Sequence, residues 1–372
     1  MTLSQMLIPA VVVIAAAALI TARRRSRSTP GSPAPGLSPQ PAAPGADGRA
    51  SDGQAVQSGP TSETEAVRAQ IRLHFYRLAF GLVSGDQTTL SAAPGQEAVV
   101  AAAHDALTGI AAQPNYAPRR PLLLPRLVQA VNDNDVSRRE LASIIASDPG
   151  LTANLLRLAN SSFYRVGNEP VESIDRAVAV LGTEGIRSLI ATALMQPVFR
   201  VGAGEFAQFP EIIWEYTCRC AAAAESHAAI VENSDPFAGQ LLGLLLGLAD
   251  IVIFRVTLDQ YAAHQLRVDA GTLMALIETH EAPVASQVAA SWELSDRIGQ
   301  ALADQGLRRG AGTLSPLGRS LSFGADVGAL AVLQLFNRVS AEEAPQVLAA
   351  AGHDSPQATR IWERLTAPRP SP

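Results

Sequence analysis

The sequence predicts an all-α protein, and three observations carry that expectation. No run alternates apolar and polar residues at period two between turn residues. Beyond residue 60, apolar side chains recur at three- and four-residue spacing, as in Val67, Ile71, Phe75 and Leu78. Helix starts are also densely signalled, with capping boxes at Ser62/Glu65 and Ser137/Glu140 and Asp-Pro pairs at 148–149 and 235–236.

Taken in order, residues 1–22 read as a transmembrane anchor. Leu3 to Ala22 carry no charge over 20 residues, long enough to cross a bilayer, and Arg23, Arg24, Arg25 and Arg27 follow at once. A cleavable signal would place its positive charge before the apolar run. The reversed order predicts a single pass through the inner (cytoplasmic) membrane, with the N-terminus outside and the rest of the chain in the cytoplasm. Residues 23–60 are expected to be a basic stop followed by a disordered linker, because Pro30 to Pro60 has 13 Gly or Pro among 31 residues.

Residues 61–116 form an accessory helical segment, one helix opening at Ser62 and another covering Gly95 to Ile110. Arg68, Arg72 and Arg77 on the first are expected to make a solvated face. A main domain spans 117–310. In it Asp148-Pro149 opens a helix carrying Leu151, Leu155 and Leu158, which Asn160-Ser161-Ser162 ends, and Ser173 caps a short helix that Gly182 closes. Further helices are expected to start at Pro210, Pro236, Gly271 and Pro283. Residues 311–372 form a helical tail.

The segment Phe237 to Phe254 is apolar apart from Gln240 and Asp250, and Gly243 with Gly247 makes a small-xxx-small pair of the kind found between membrane helices. No arginine cluster flanks it, and Asp250 would be costly in hydrocarbon, so a buried core helix is expected instead of a second span.

Composition excludes several chemistries. The formal charge of −5 offers no footprint for nucleic acid. All 29 basic residues are Arg, which removes phosphate-loop NTPases, Schiff-base enzymes and ordinary protein kinases, each of which needs a Lys amine. Cys218 and Cys220 point to opposite sides of a helix and are read as buried small hydrophobes. No G-x-S-x-G elbow, H-E-x-x-H helix or dinucleotide fingerprint is present.

Three stretches carry a family resemblance: Leu122-Leu123-Leu124-Pro125-Arg126-Leu127, then Ile144-Ile145-Ala146-Ser147-Asp148-Pro149-Gly150-Leu151-Thr152, then Leu155-Leu156-Arg157-Leu158-Ala159-Asn160-Ser161. With VESIDRAVAVLG at 171–182 following, the region from Pro118 to Gln305 resembles the HDOD domain, the output-domain relative of HD metal-dependent phosphohydrolases. The resemblance implies a multi-helix HD-like bundle. Asp148, Pro149, Asn160, Ser161 and Gly182 then have structural roles at helix ends.

The HD relatives hold a divalent ion with one His on a helix, an adjacent His-Asp pair on the next, and a later Asp. The resemblance places Tyr216 at the first His, and Leu246 and Gly247 at the pair. None of the three offers an imidazole nitrogen or a carboxylate oxygen, so the expectation is no catalytic metal, no cofactor and no enzyme. His104-Asp105 and His353-Asp354 spell the pair but lie outside the matched region, with His74 the nearest other imidazole to His104 in sequence. His280 is expected at a helix end, with the family's frequent His falling closer to Glu281.

The expected function is therefore a membrane-anchored cytoplasmic signalling or scaffold protein that binds a protein partner, with Arg157, Arg165 and Arg187 as the candidate contact surface. The partner's identity and the oligomeric state are left open. The alternatives are a metal-dependent phosphohydrolase or cyclic-nucleotide phosphodiesterase with other ligands, and a small-molecule sensor using the degenerate pocket.

Overall fold

A computed structural model describes residues 62–82, 95–113, 115–116, 118, 149–160, 170–173, 176–177, 191–192, 206–307 and 314–367. The proposed anchor and linker, and Asp148, Ser161, Arg165, Gly182 and Arg187, lie outside these. The fold is all-α. Among the described residues its helices are α1 (Ser62–Ala79), α2 (Gln96–Thr108), α3 (Pro149–Ala159), α4 (Phe209–Ile230), α5 (Pro236–Ala263), α6 (Ala270–Ser291), α7 (Asp296–Leu307), α8 (Pro316–Leu335), α9 (Ala344–Ala350) and α10 (Pro356–Thr366). A 3-10 turn, Ile110–Ala112, follows α2.

The centre of the molecule is α5, about 42 Å long at helical rise. Asp235 caps it, Oδ1 accepting from the backbone N–H of Phe237 at 2.9 Å and of Ala238 at 3.2 Å, and Pro236 occupies the first turn, where its missing N–H costs nothing. Its apolar stretch is long enough to cross a membrane by length and composition, yet 89% of it is buried among the other helices. The glycines read as a membrane-type pair are what bring α4 and α5 together. A Cβ on Gly243 would lie 2.5 Å from Ala221 Cα, and one on Gly247 would overlap Thr217 Oγ1. Gly324 and Gly328 of α8 make the same kind of approach to Cys220 and Ala224. Helix α4 thus meets two glycine-bearing faces, at distances only a residue without a side chain permits. Cys218 and Cys220 of α4 are both buried and not joined in a disulfide, and burial pushes the Cys218 thiol up.

Helix α8 is integral to the core. Its start is fixed by Ser315, whose Oγ accepts from Gly318 N at 3.1 Å and donates to Asp304 Oδ2 at 2.5 Å on α7. The N-terminal segment is equally embedded. Val67, Ile71 and Phe75 of α1 are buried, and α2 is fastened to α5 by Tyr261 Oη donating to Gln96 Oε1 at 2.6 Å. Trp292 Nε1 donates to the carbonyl of Pro118 at 2.9 Å, fixing residue 118 on the end of α6. Asn160 closes α3 as expected from its short amide. Its Nδ2 donates to the carbonyls of Leu156 and Val171, both at 2.8 Å, and its Oδ1 accepts from Val171 N at 2.7 Å.

Two expectations need correction. Pro283 does not start a helix but lies inside α6. Its ring is exposed, as is Thr279 one turn earlier, so the carbonyl left without a donor faces water and the helix continues. Arg68 and Arg72 are not a solvated face. Arg68 reaches Asp326 of α8 at 3.3 Å and the carbonyl of Ala351 at 2.9 Å, and half-buried Arg72 faces Glu281.

Candidate functional site

Tyr216, Leu246 and Gly247, the positions that the family resemblance sets against the HD metal ligands, lie in the core, where α1, α4 and α5 meet. Tyr216 on α4 is 4% exposed, and its ring centroid lies 4.7 Å from that of Phe75 on α1. Leu246 is 2% exposed and belongs to the apolar core. Gly247 faces Thr217, whose Oγ1 donates to the Ile213 carbonyl at 2.6 Å. The aromatic surface continues along α1, Tyr76 meeting Phe75 edge-on with centroids at 5.0 Å. A divalent ion does not fit these residues, which present a packed phenol, an isobutyl group and a hydrogen.

Close to them lies a polar group that sequence alone does not assemble. Tyr76 Oη donates to Asp250, 3.2 Å from both carboxylate oxygens, joining α1 to the middle of α5. Burial, then the neighbouring Glu281, pushes the Asp250 carboxyl well above its ordinary range, while the Tyr76 bond pulls the other way. Burial, followed by the charge of Asp250, likewise pushes the Tyr76 phenol up. Burial works against the charge on Arg72, but Glu281, with Tyr76 and Asp326, more than offsets it, and the guanidinium is held above its usual value. The signal was a lone carboxylate in an apolar run; its partner lies 174 residues away in sequence.

A second polar group joins α1, α8 and the turn after α9. Asp326, 1% exposed, receives Arg68 at 3.3 Å and His353 Nε2 at 2.9 Å. Phe323 packs between two imidazoles, edge-on to His353 at 5.1 Å and stacked on His227 at 4.5 Å. Burial, then the neighbouring His353 and Arg319, holds His227 down at about 4 despite Glu232.

His280 is not at a helix end. It is mid-way along α6 and 4% exposed, because the helix runs on through Pro283. His104 Nδ1 lies 3.1 Å from its Nε2, so the imidazole nearest His104 in space is His280 and not His74. Among the described residues, no group of three or more His, Cys, Asp and Glu side chains is placed to hold a metal ion. Arg157 is exposed on α3.

The helices packed around Tyr216, Leu246 and Gly247 define an all-α domain. The sequence profile of the HDOD domain matches residues 117–306, and the chain belongs to the HDOD family. Solved structures with a similar arrangement include an HDOD domain protein of unknown function from Geobacter sulfurreducens, 20% identical, covering 73% of this chain and 89% of that one with a TM-score of 0.48. Another is a protein from Shewanella amazonensis SB2B named as a candidate phosphohydrolase, 21% identical, covering 71% and 93% with a TM-score of 0.49. A third, from Marinobacter aquaeolei VT8, is named as a candidate signal transduction protein and is 17% identical, covering 76% and 69% with a TM-score of 0.43. Comparison with curated proteins finds no match.

Proposed function

We propose that this chain is a non-catalytic HDOD signalling or scaffold protein that acts by binding a protein partner at the cytoplasmic face of the membrane. The observation that supports it most is the contact between Gly247 and Thr217. Where a catalytic relative needs a carboxylate reaching toward metal, this chain has a glycine whose side-chain space is filled by the Thr217 side chain. Leu246 and Tyr216 beside it are apolar packing, while the surrounding helices remain fully formed. A framework kept without its metal-binding groups offers shape and surface.

In this reading the uncharged run 3–22 and its four following arginines hold the domain at the inner membrane, and the Pro/Gly-rich stretch separates the two. Arg157, with Arg165 and Arg187, supplies planar donors for the partner. Cross-linked pull-down of the full chain from membranes tests it, with residues 1–60 alone as control. The expected result is a protein enriched over the control whose recovery falls when all three arginines become Glu, with helical content unchanged. Enrichment of nothing over the control would replace this reading with the ligand-sensor one.

A further inference from the structure

The His104/His280 pair is not absorbed by the proposed function. Its two imidazoles come from different parts of the chain, α2 of the accessory segment and α6 of the family-matched region. His104 is exposed and His280 buried, and their ring planes meet at 64° with centroids 4.9 Å apart. The facing nitrogens, Nδ1 of His104 and Nε2 of His280, are 3.1 Å apart. At that distance both rings cannot be protonated on the facing atoms, so at least one presents a lone pair. Neutral imidazole is the form that ligates metal.

Two imidazole nitrogens bound to one ion at about 2.05 Å lie about 2.9 Å apart at a right angle and about 3.3 Å apart at the tetrahedral angle. The 3.1 Å separation falls between these values. To bind an ion the proton shared in this hydrogen bond must leave the facing nitrogen, and the two rings must turn so that both lone pairs meet at a point beside the line joining them.

We propose that His104 and His280 form a two-imidazole site for a borderline divalent transition ion such as Zn2+ or Ni2+, which staples α2 to α6. Among the described residues no third His, Cys, Asp or Glu completes the group, so water fills the other positions. The ion is therefore exchangeable and structural. The site is separate from the degenerate positions at Tyr216, Leu246 and Gly247, and it does not depend on the binding function proposed above.

The test is titration of the purified, chelator-treated full chain in detergent with zinc chloride alone, and separately with nickel chloride, read by calorimetry and by melting temperature. The expected result is saturable binding of one ion per chain with a dissociation constant of about 10 µM, and a higher melting temperature at about 100 µM metal. His104→Ala, at an exposed position and with its circular dichroism unchanged, should abolish both effects, as should His280→Gln if it folds. His264→Ala, also exposed, should abolish neither. Absence of saturable binding to the unmodified chain, or binding that survives His104→Ala, would overturn the site.

Discussion

Thr217 Oγ1 occupies the space that any side chain at residue 247 would need. The hydroxyl cannot withdraw cheaply, because it is fully buried and bonded to the Ile213 carbonyl at 2.6 Å. Gly247→Ala should therefore destabilise the chain by about 3 kcal/mol in chemical denaturation. The loss should shrink in a Thr217→Ala background, where Oγ1 and Cγ2 are gone, so a double-mutant cycle gives a coupling energy between the two sites. Leu246→His combined with Gly247→Asp should unfold the domain instead of restoring chemistry.

The Tyr76–Asp250 contact predicts opposite outcomes for its two partners. Tyr76→Phe removes the donor and leaves a buried carboxyl without that bond, at a cost of about 1–3 kcal/mol. Asp250→Asn keeps an acceptor for Tyr76 and cannot ionise. Because the folded carboxyl is raised above its ordinary value of 3.8, the folded chain holds its proton where the unfolded chain has released it. This group's contribution is full below that value and is lost as pH rises toward the folded one. The stability of Asp250→Asn relative to the unmodified chain should therefore increase with pH above about 4. A relative stability that does not change between acid and neutral pH would contradict the assignment.

His227 gives a second pH signature. Its folded value of about 4 lies below the ordinary 6.5, so the unfolded chain is protonated first as pH falls. Stability is unaffected above about pH 6.5, declines through the window down to about pH 4, and is flat below it, with a total loss of about 3 kcal/mol from this residue. His227→Gln should remove that part of the pH profile in urea melts recorded across the window.

Leu155 is fully buried on α3, one turn before the Asn160 closure. Leu155→Asp should abolish cooperative unfolding by circular dichroism, since it places a carboxylate without a built partner in the core. Arg157→Glu, two residues away and exposed, should leave the unfolding free energy within about 0.5 kcal/mol of the original.

The helical class, the cap at Asp235, the burial of the apolar α5 and the role of Asn160 were legible in the sequence, because each follows from local stereochemistry or from periodicity. Pro283 was misread because its acceptability in α6 depends on which face meets water, a tertiary fact. Several helix ends were hidden for a related reason. Helices α5, α6 and α8 close at Gln265, Glu293 and Asn337, all in left-handed backbone with φ between 54° and 55°. Asn337 is a residue that favours such a turn, but at Gln265 and Glu293 no glycine or asparagine signals it, and backbone bonds such as Leu266 N to the Tyr261 carbonyl and Leu294 N to the Ala289 carbonyl close the helices. The polar groups were invisible for want of range. Tyr76 finds Asp250 across 174 residues, and His104 finds His280 across 176. The glycine pair in α5 was visible as a pattern, but its partner, α4, is a tertiary fact.

Turnover is the most direct test of the central claim, that the HD-like centre at Tyr216, Leu246 and Gly247 performs no hydrolysis. The purified full chain should be assayed with cyclic dinucleotides, nucleotides and a generic phosphodiester, each with added Mn2+, Fe2+ or Zn2+. The account predicts rates equal to buffer under every condition, including with Zn2+ bound at the His104/His280 pair. Metal-dependent turnover that chelation abolishes and that His104→Ala leaves intact would contradict it.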